Sequence, residues 1–166
     1  DPTASELIRG IADACEERRL GLLVVHGGMH AADPRTITDV AVDGFVAYSL
    51  PRGARSLEAA LGRGVPVVVV DQPRLPGVAT VAADDAWGGR EAARHLLALG
   101  HRRFGIVSLP CQPDGFTGPG DAARMATSAF DVTAARYAGY ADALAEAGIA
   151  IAAVPFFECA HSDEAL

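Results

Sequence analysis

Asp71 and Gln72 close a run of four valines, Val67 to Val70, and are followed by Pro73. An unalternating β-branched run reads as a strand buried on both faces, the pattern of a parallel sheet covered by helices. Open α/β sheets gather ligands outside the carboxyl ends of their strands, which puts Asp71 and Gln72 where a ligand would lie. Tyr48 and Ser49 end a neighbouring apolar run in the same way, and Asp1 and Thr3 stand at the head of the first helix. An ionised carboxylate accepts several hydroxyl hydrogen bonds, so this set suits a sugar or another polyol. A turn or cap is an equal alternative for Asp71. Arg136, in the first turn of a helix that reads AARYAGY, is the other candidate. Its planar fork of donors matches vicinal hydroxyls, a carboxylate or a phosphate, while a solvated helix-surface arginine is the plainer reading.

Other chemistries find less support. His26 and His30 are four apart, but Gly27 and Gly28 intervene and no further Cys or carboxylate completes a metal-ligand set. His95 and His101 read as packing or capping residues. Gly88-Gly89 lies inside a helical stretch with no strand leading into it, so it reads as close helix-to-sheet packing and not as a phosphate loop. Gly118-Pro119-Gly120 lacks the helix N-terminus that phosphate binding needs. There is no GxSxG elbow and no nucleophile–base pair, which disfavours an enzyme. No metal and no cofactor is expected.

The elements that must position these residues alternate. Ser5–Arg19 has helical apolar spacing, Leu22–Val25 and Gly44–Tyr48 read as strands, and a short helix spans about Pro34–Val40. Ser56–Gly62 is a short helix, Val78–Ala82 a brief extended piece, and Trp87–Leu99 a long helix capped by Asp84 or Asp85. Phe104–Val107 is a strand, 111–130 a long Gly/Pro/Asp-rich loop, and Asp131 or Thr133 caps a helix running to Ala147. Ile149–Phe157 reads as a strand, and a helix begins at Ser162. Strands alternating with helices at this spacing mean βαβ units on a parallel sheet. The chain opens on a helix with no strand before it and closes one turn into another helix, the pattern of a piece of something larger.

The 166 residues are 50% apolar and 21% charged, a globular composition, and the net charge of −7 argues against this stretch itself being a nucleic-acid surface. No apolar run approaches a membrane span and no leader opens the chain. Cys15, Cys111 and Cys159 are odd in number and widely spaced, which reads as reduced thiols in a cytoplasmic protein.

Four stretches occur in one order and spacing: VDGFVAYSLP, RGVPVVVVDQP, VAADDAWGGREAARHLLALGHRRFGIV and RYAGYADALAEAGI. Together they resemble the effector-binding core of the LacI/GalR family of bacterial transcriptional regulators. The resemblance implies a periplasmic-binding-protein-like α/β fold of two lobes. Residues 1–100 would form the N-terminal lobe without its first strand, and 103–166 the beginning of the C-terminal lobe. A sugar-like effector would lie in the cleft, with Arg136 at the head of RxAGY as a contact and with Asp71, Gln72, Tyr48, Asp1 and Thr3 on the opposite wall. The resemblance also implies an allosteric repressor: a homodimer that binds operator DNA through a helix-turn-helix outside this chain, without a membrane. Thr3-Ala4 stands where relatives often carry an aromatic pair, so ring stacking is not expected there. The alternative is a sugar-binding protein of an uptake system.

Overall fold

The computed structural model describes residues 2–25 and 34–160; His26, His30, Asp1 and the helix expected from Ser162 lie outside them. The elements are α1 (Pro2–Glu17), α2 (Pro34–Thr38), β1 (Phe45–Tyr48), α3 (Arg55–Leu61), β2 (Val67–Val70) and β3 (Ala79–Val81). They continue with α4 (Asp85–Ala98), β4 (Ile106–Ser108), β5 (Gly118–Pro119), α5 (Ala122–Ala126), α6 (Asp131–Glu146) and β6 (Phe156–Glu158).

Two three-stranded sheets result. The first, in order β1-β2-β3, is all parallel, with Phe45 opposite Val67 and Val68 opposite Ala79. The valine strand is its centre, as its composition requires, but it is not sealed on both faces. Val69 is fully buried, whereas Val46 and Val81, on the other face, are 50% and 64% exposed. A strand in the middle of so narrow a sheet is shielded only where both neighbours are shielded. Leu22–Val25 forms no strand: β1 is an edge, and Leu22, Leu23 and Val24 remain exposed. Apolar β-formers without a ladder to join have nothing to hold them extended.

The second sheet, in order β4-β6-β5, is mixed, with β4 parallel and β5 antiparallel to β6. The stretch expected as a strand over Ile149–Phe157 is instead a single 3-10 turn at Ile151–Ala153 followed by β6. Pro155 has no N–H to give a ladder, so pairing starts after it, with its carbonyl accepting from Ile106 N at 2.9 Å. The stretch 111–130 is not a loop throughout. It carries β5 and α5, whose N-cap Asp121 accepts from Arg124 N at 2.8 Å. Its apolar residues supply a small core in which Cys111, Met125 and Phe156 are buried, with Tyr137 edge-on to Phe156 at 5.7 Å.

Two long helices join the halves. α4 is N-capped by Asp84, which accepts from Trp87 N at 2.9 Å, and α4 packs along α6. A Cβ on Gly89 would meet Arg136 O at 2.5 Å, and one on Gly139 would overlap the Ala86 carbonyl and lie 2.8 Å from Arg90 N. Gly89 thus belongs to a helix-to-helix crossing and not to helix-to-sheet packing, while Gly88 beside it is open. Backbones come into contact there because neither helix has a side chain in the way.

Neither Asp131 nor Thr133 caps α6. The N-cap is Phe130, which offers no side-chain acceptor. The orphan N–H of Val132 goes to Gln72 Oε1 at 2.9 Å, and Thr133 Oγ1 donates to Pro110 O at 3.1 Å. The Asp131 carboxylate accepts from Arg74 N at 2.7 Å and pairs with Arg52. The start of α6 is therefore anchored to the loops that follow β1 and β2.

The crossing predicts an asymmetry between a glycine inside it and one beside it. Gly139→Ala should lower stability by about 1–3 kcal/mol through overpacking against backbone. Gly88→Ala, where an added Cβ meets nothing within 4 Å, should be neutral or stabilising by roughly 0.5–1 kcal/mol. Denaturant unfolding of both variants measures the difference.

Candidate functional site

The glycine crossing sets the geometry of the site. With Gly89 against the Arg136 backbone, Asp85 lies one helical turn before Gly89, at the mouth of the crossing. Arg136 Nε donates to Asp85 Oδ1 at 2.7 Å. Its side chain is 46% exposed while that of Asp85 is 9% exposed, so the acid is the shielded partner. Among the described residues the two Nη groups of Arg136 have no acceptor, and the residue lines a groove of about 430 Å³. Its lining includes Asp84, Asp85, Trp87, Gly88, Arg136 and Tyr140. An arginine tethered through Nε and open at its outer edge can present a two-pronged donor to a ligand.

The sheet-end residues form a second cluster. Asp71 follows β2 with φ +76° and donates its N–H to Val81 O at 2.8 Å; Ser49 follows β1 with φ +49° and donates its N–H to Val70 O at 3.1 Å. Asx residues tolerate this left-handed region better than most, which fits Asp at the turn. Tyr48 sits close enough to feel Asp71: burial pushes its phenol above the usual value, and the Asp71 charge adds to that. Gln72 is buried and both ends of its amide are engaged, Nε2 towards Ser49 Oγ at 3.5 Å and Oε1 with Val132 N. The structure gives Gln72 the task of holding α6. Thr3 lies exposed in the first turn of α1, and Asp1 is outside the described residues. The acid that Arg136 meets directly is Asp85, through a contact between helices.

Three residues at this site escaped the sequence. Asp85 read as a helix cap, Trp87 as the start of a helix and Tyr140 as part of a motif. The signal was the glycine spacing: Gly89 lies four residues after Asp85, and Gly139 three after Arg136, which places both charged residues at one end of a close crossing.

A third set holds the 111–130 stretch in place. Glu158, fully buried at the end of β6, accepts from Arg124 Nε at 2.7 Å, Arg124 Nη2 at 3.1 Å and Cys111 N at 2.9 Å. Arg124 also pairs with Asp114 at 3.0 Å and lies 4.5 Å from the Phe116 ring centre. Burial works to raise the Glu158 carboxyl, but the hydrogen bonds from Arg124 and Cys111 N outweigh it and hold the group below its usual range. Hydrogen bonds from Arg124 and from Phe116 N likewise lower Asp114. Burial first, then the Glu158 charge, pushes the Cys111 thiol up to about 12, so this cysteine is a packing residue and not a nucleophile. All three cysteines are free, and among the described residues no cluster of His, Cys, Asp and Glu could hold a metal ion. No described helix is long and apolar enough to cross a membrane.

The sequence model of the family described as periplasmic binding proteins and sugar-binding domain of the LacI family matches residues 2–164. The chain belongs to that family. An HTH-type transcriptional regulator of Mycobacterium tuberculosis is 38% identical over 153 residues, covering 90% of this chain and 43% of the relative. A solved LacI-family transcriptional regulator from Corynebacterium glutamicum is 30% identical, with a TM-score of 0.72, covering 84% of this chain and 43% of that one. A LacI-family regulator from Enterococcus faecium, solved with bound ribose, superposes with a TM-score of 0.73 at 24% identity, covering 99% of this chain and 56% of the other. The chain thus spans a little under half the length of the curated relatives it matches. The family match carries the periplasmic-binding-protein-like fold that the parallel strands and the four stretches led one to expect.

The buried pair predicts an acid limb in stability. Glu158 has its folded value below its ordinary 4.5, so its contribution is complete above that value and is lost as the pH falls through the lowered one. Glu158→Gln should cost about 3 kcal/mol at neutral pH and flatten this acid limb, because Arg124 loses its charged partner. Urea unfolding of wild type and variant from pH 7 to pH 3 measures both effects.

Proposed function

We propose that the chain is the effector-sensing core of a LacI-family transcriptional regulator, and that it binds a small sugar-like molecule at the α4–α6 groove. The observation that carries this is Arg136: a half-exposed guanidinium, fixed through Nε by Asp85, on a residue that lines a groove. The regulators among its relatives support this reading over an uptake protein. Arg136 would bind hydroxyls with its free edge, and Asp85 would accept one with its second oxygen. Asp71 and Tyr48, at the sheet ends, would contribute further hydroxyl contacts, with Thr3 and Asp1 beyond them. Gln72 would act through α6 and not through the ligand.

In this reading residues up to about 100 belong to one lobe and those from 103 onward to the next. They meet where Gln72 and Asp131 anchor α6 and where Asp85 holds Arg136. A ligand that binds one arrangement of the lobes better than the other would shift the population between them. The shift would alter how a dimer presents DNA-binding segments to an operator, which makes the sugar an allosteric effector of a repressor. The role is one of binding and not of turnover.

Screening neutral and phosphorylated sugars by thermal shift finds the compound, since a ligand of the folded state raises its stability. For a sugar that stabilises the wild type, Arg136→Ala should weaken binding by roughly 30- to 100-fold, the loss of about 2–3 kcal/mol of charge-assisted hydrogen bonding. Calorimetry showing unchanged affinity in a folded variant would remove Arg136 from the site.

A further inference from the structure

We infer that Trp87 is the stacking platform of the α4–α6 groove, and that the groove selects an uncharged ring polyol over its phosphorylated form. This rests on the ligand-sensing role proposed above and specifies its substrate class. Trp87 leaves 61% of its surface exposed, beside Arg136 and Tyr140 on the groove wall. Tryptophan buries most of its large ring in ordinary surfaces, so a ring open at a groove that also holds a free guanidinium edge has a surface to offer. A Cβ on the adjacent Gly88, which also lines the groove, would meet nothing within 4 Å. The groove's volume of about 430 Å³ lies within the roughly 300–1,000 Å³ of small-molecule sites.

The ring of a sugar or cyclitol has an apolar C–H face and a rim of hydroxyls. The indole would cover the face while Arg136 and Asp85 take the rim. Charge then decides between neutral and phosphorylated forms. The groove holds two carboxylates, Asp84 and Asp85, against one guanidinium, Arg136. The Trp87 N–H at the start of α4, the donor an incoming anion would seek, is already taken by the Asp84 carboxylate. A phosphate brought here would face an excess of negative charge. A neutral hydroxyl rim meets no such obstacle.

Trp87 is the only tryptophan of the 166 residues, so the difference in emission between wild type and Trp87→Phe isolates its signal. Titration with ribose, cellobiose and ribose 5-phosphate, read by that emission, by thermal shift and by calorimetry, tests both parts. The expected result is that a neutral sugar changes Trp87 emission and raises the melting temperature. Trp87→Ala should then weaken its binding about tenfold, Trp87→Phe by no more than about threefold, and ribose 5-phosphate should bind more weakly than ribose. A sugar that binds with no change in emission and equal affinity in folded Trp87→Ala overturns the platform while leaving the sensing role intact. A phosphorylated sugar that binds more tightly than its neutral counterpart overturns the selection. If neither the neutral sugars nor the phosphate stabilises the wild type at millimolar concentration, the sugar-sensing role fails and the platform with it.

Discussion

The contact on which the rest of the structure depends is the approach of two helix backbones at Gly89 and Gly139. Each glycine lies against the other helix's main chain, Gly89 against Arg136 and Gly139 against Ala86 and Arg90. Ridge-into-groove packing ordinarily holds helices about 8–10 Å apart, and removing the Cβ atoms at the crossing lets them close further. That closeness brings Asp85 to Arg136 without a long reach by either side chain. Farther along, Arg94 pairs with Glu146 at 2.9 Å and Arg90 pairs with Asp142. Those exposed pairs contribute little individually, but they fix the register in which the mouth of the crossing forms.

A second constraint is the start of α6, which has no cap of its own. A helix leaves its first N–H groups without intrahelical partners, and here a residue sixty positions earlier supplies one. Gln72 can do so only because it is held between Ser49 and Val132, and because Asp131 fastens the same turn to Arg52 and to Arg74 N. The first sheet therefore reads out the position of α6 through hydrogen bonds rather than through apolar packing. Polar, directional contacts of this kind exchange for water at modest net cost, so they hold the start of α6 without locking it as a dry apolar interface would.

Those contacts also explain what the sequence could and could not disclose. The valine strand, the helix that ends before Gly100 and the RYAGY helix were all legible, because period and breakers are local signals. The family resemblance rested on the same local stretches. What escaped was non-local. Leu22–Val25 has the composition of a strand but no neighbour to pair with. The 111–130 stretch looked irregular because its order comes from Glu158, forty-four residues beyond Asp114, and from Arg124 between them. Nothing near Gln72 in sequence discloses that α6 lacks a cap or that the Gln72 amide supplies the missing acceptor. At the candidate site, Arg136 stood out by its motif, whereas the Asp85 that its Nε meets read only as a helix cap, because their contact depends on how two distant helices cross.

That partner bears on how a ligand could act here. Asp85 is shielded and Arg136 is not, so the ion pair is partly desolvated on the acidic side and open on the basic side. A ligand that only adds hydrogen bonds to the free Nη groups leaves the pair intact and tightens the crossing. One that draws the guanidinium away must leave a shielded carboxylate without its partner, which is far more costly. The geometry therefore favours ligands that complete the Asp85–Arg136 pair over those that displace it. A ligand of the first kind binds best when α4 and α6 are already close. On the reading proposed above, its differential affinity would be for the closed crossing, and through Gln72 and Asp131 that preference would extend to the relation between the two sheets.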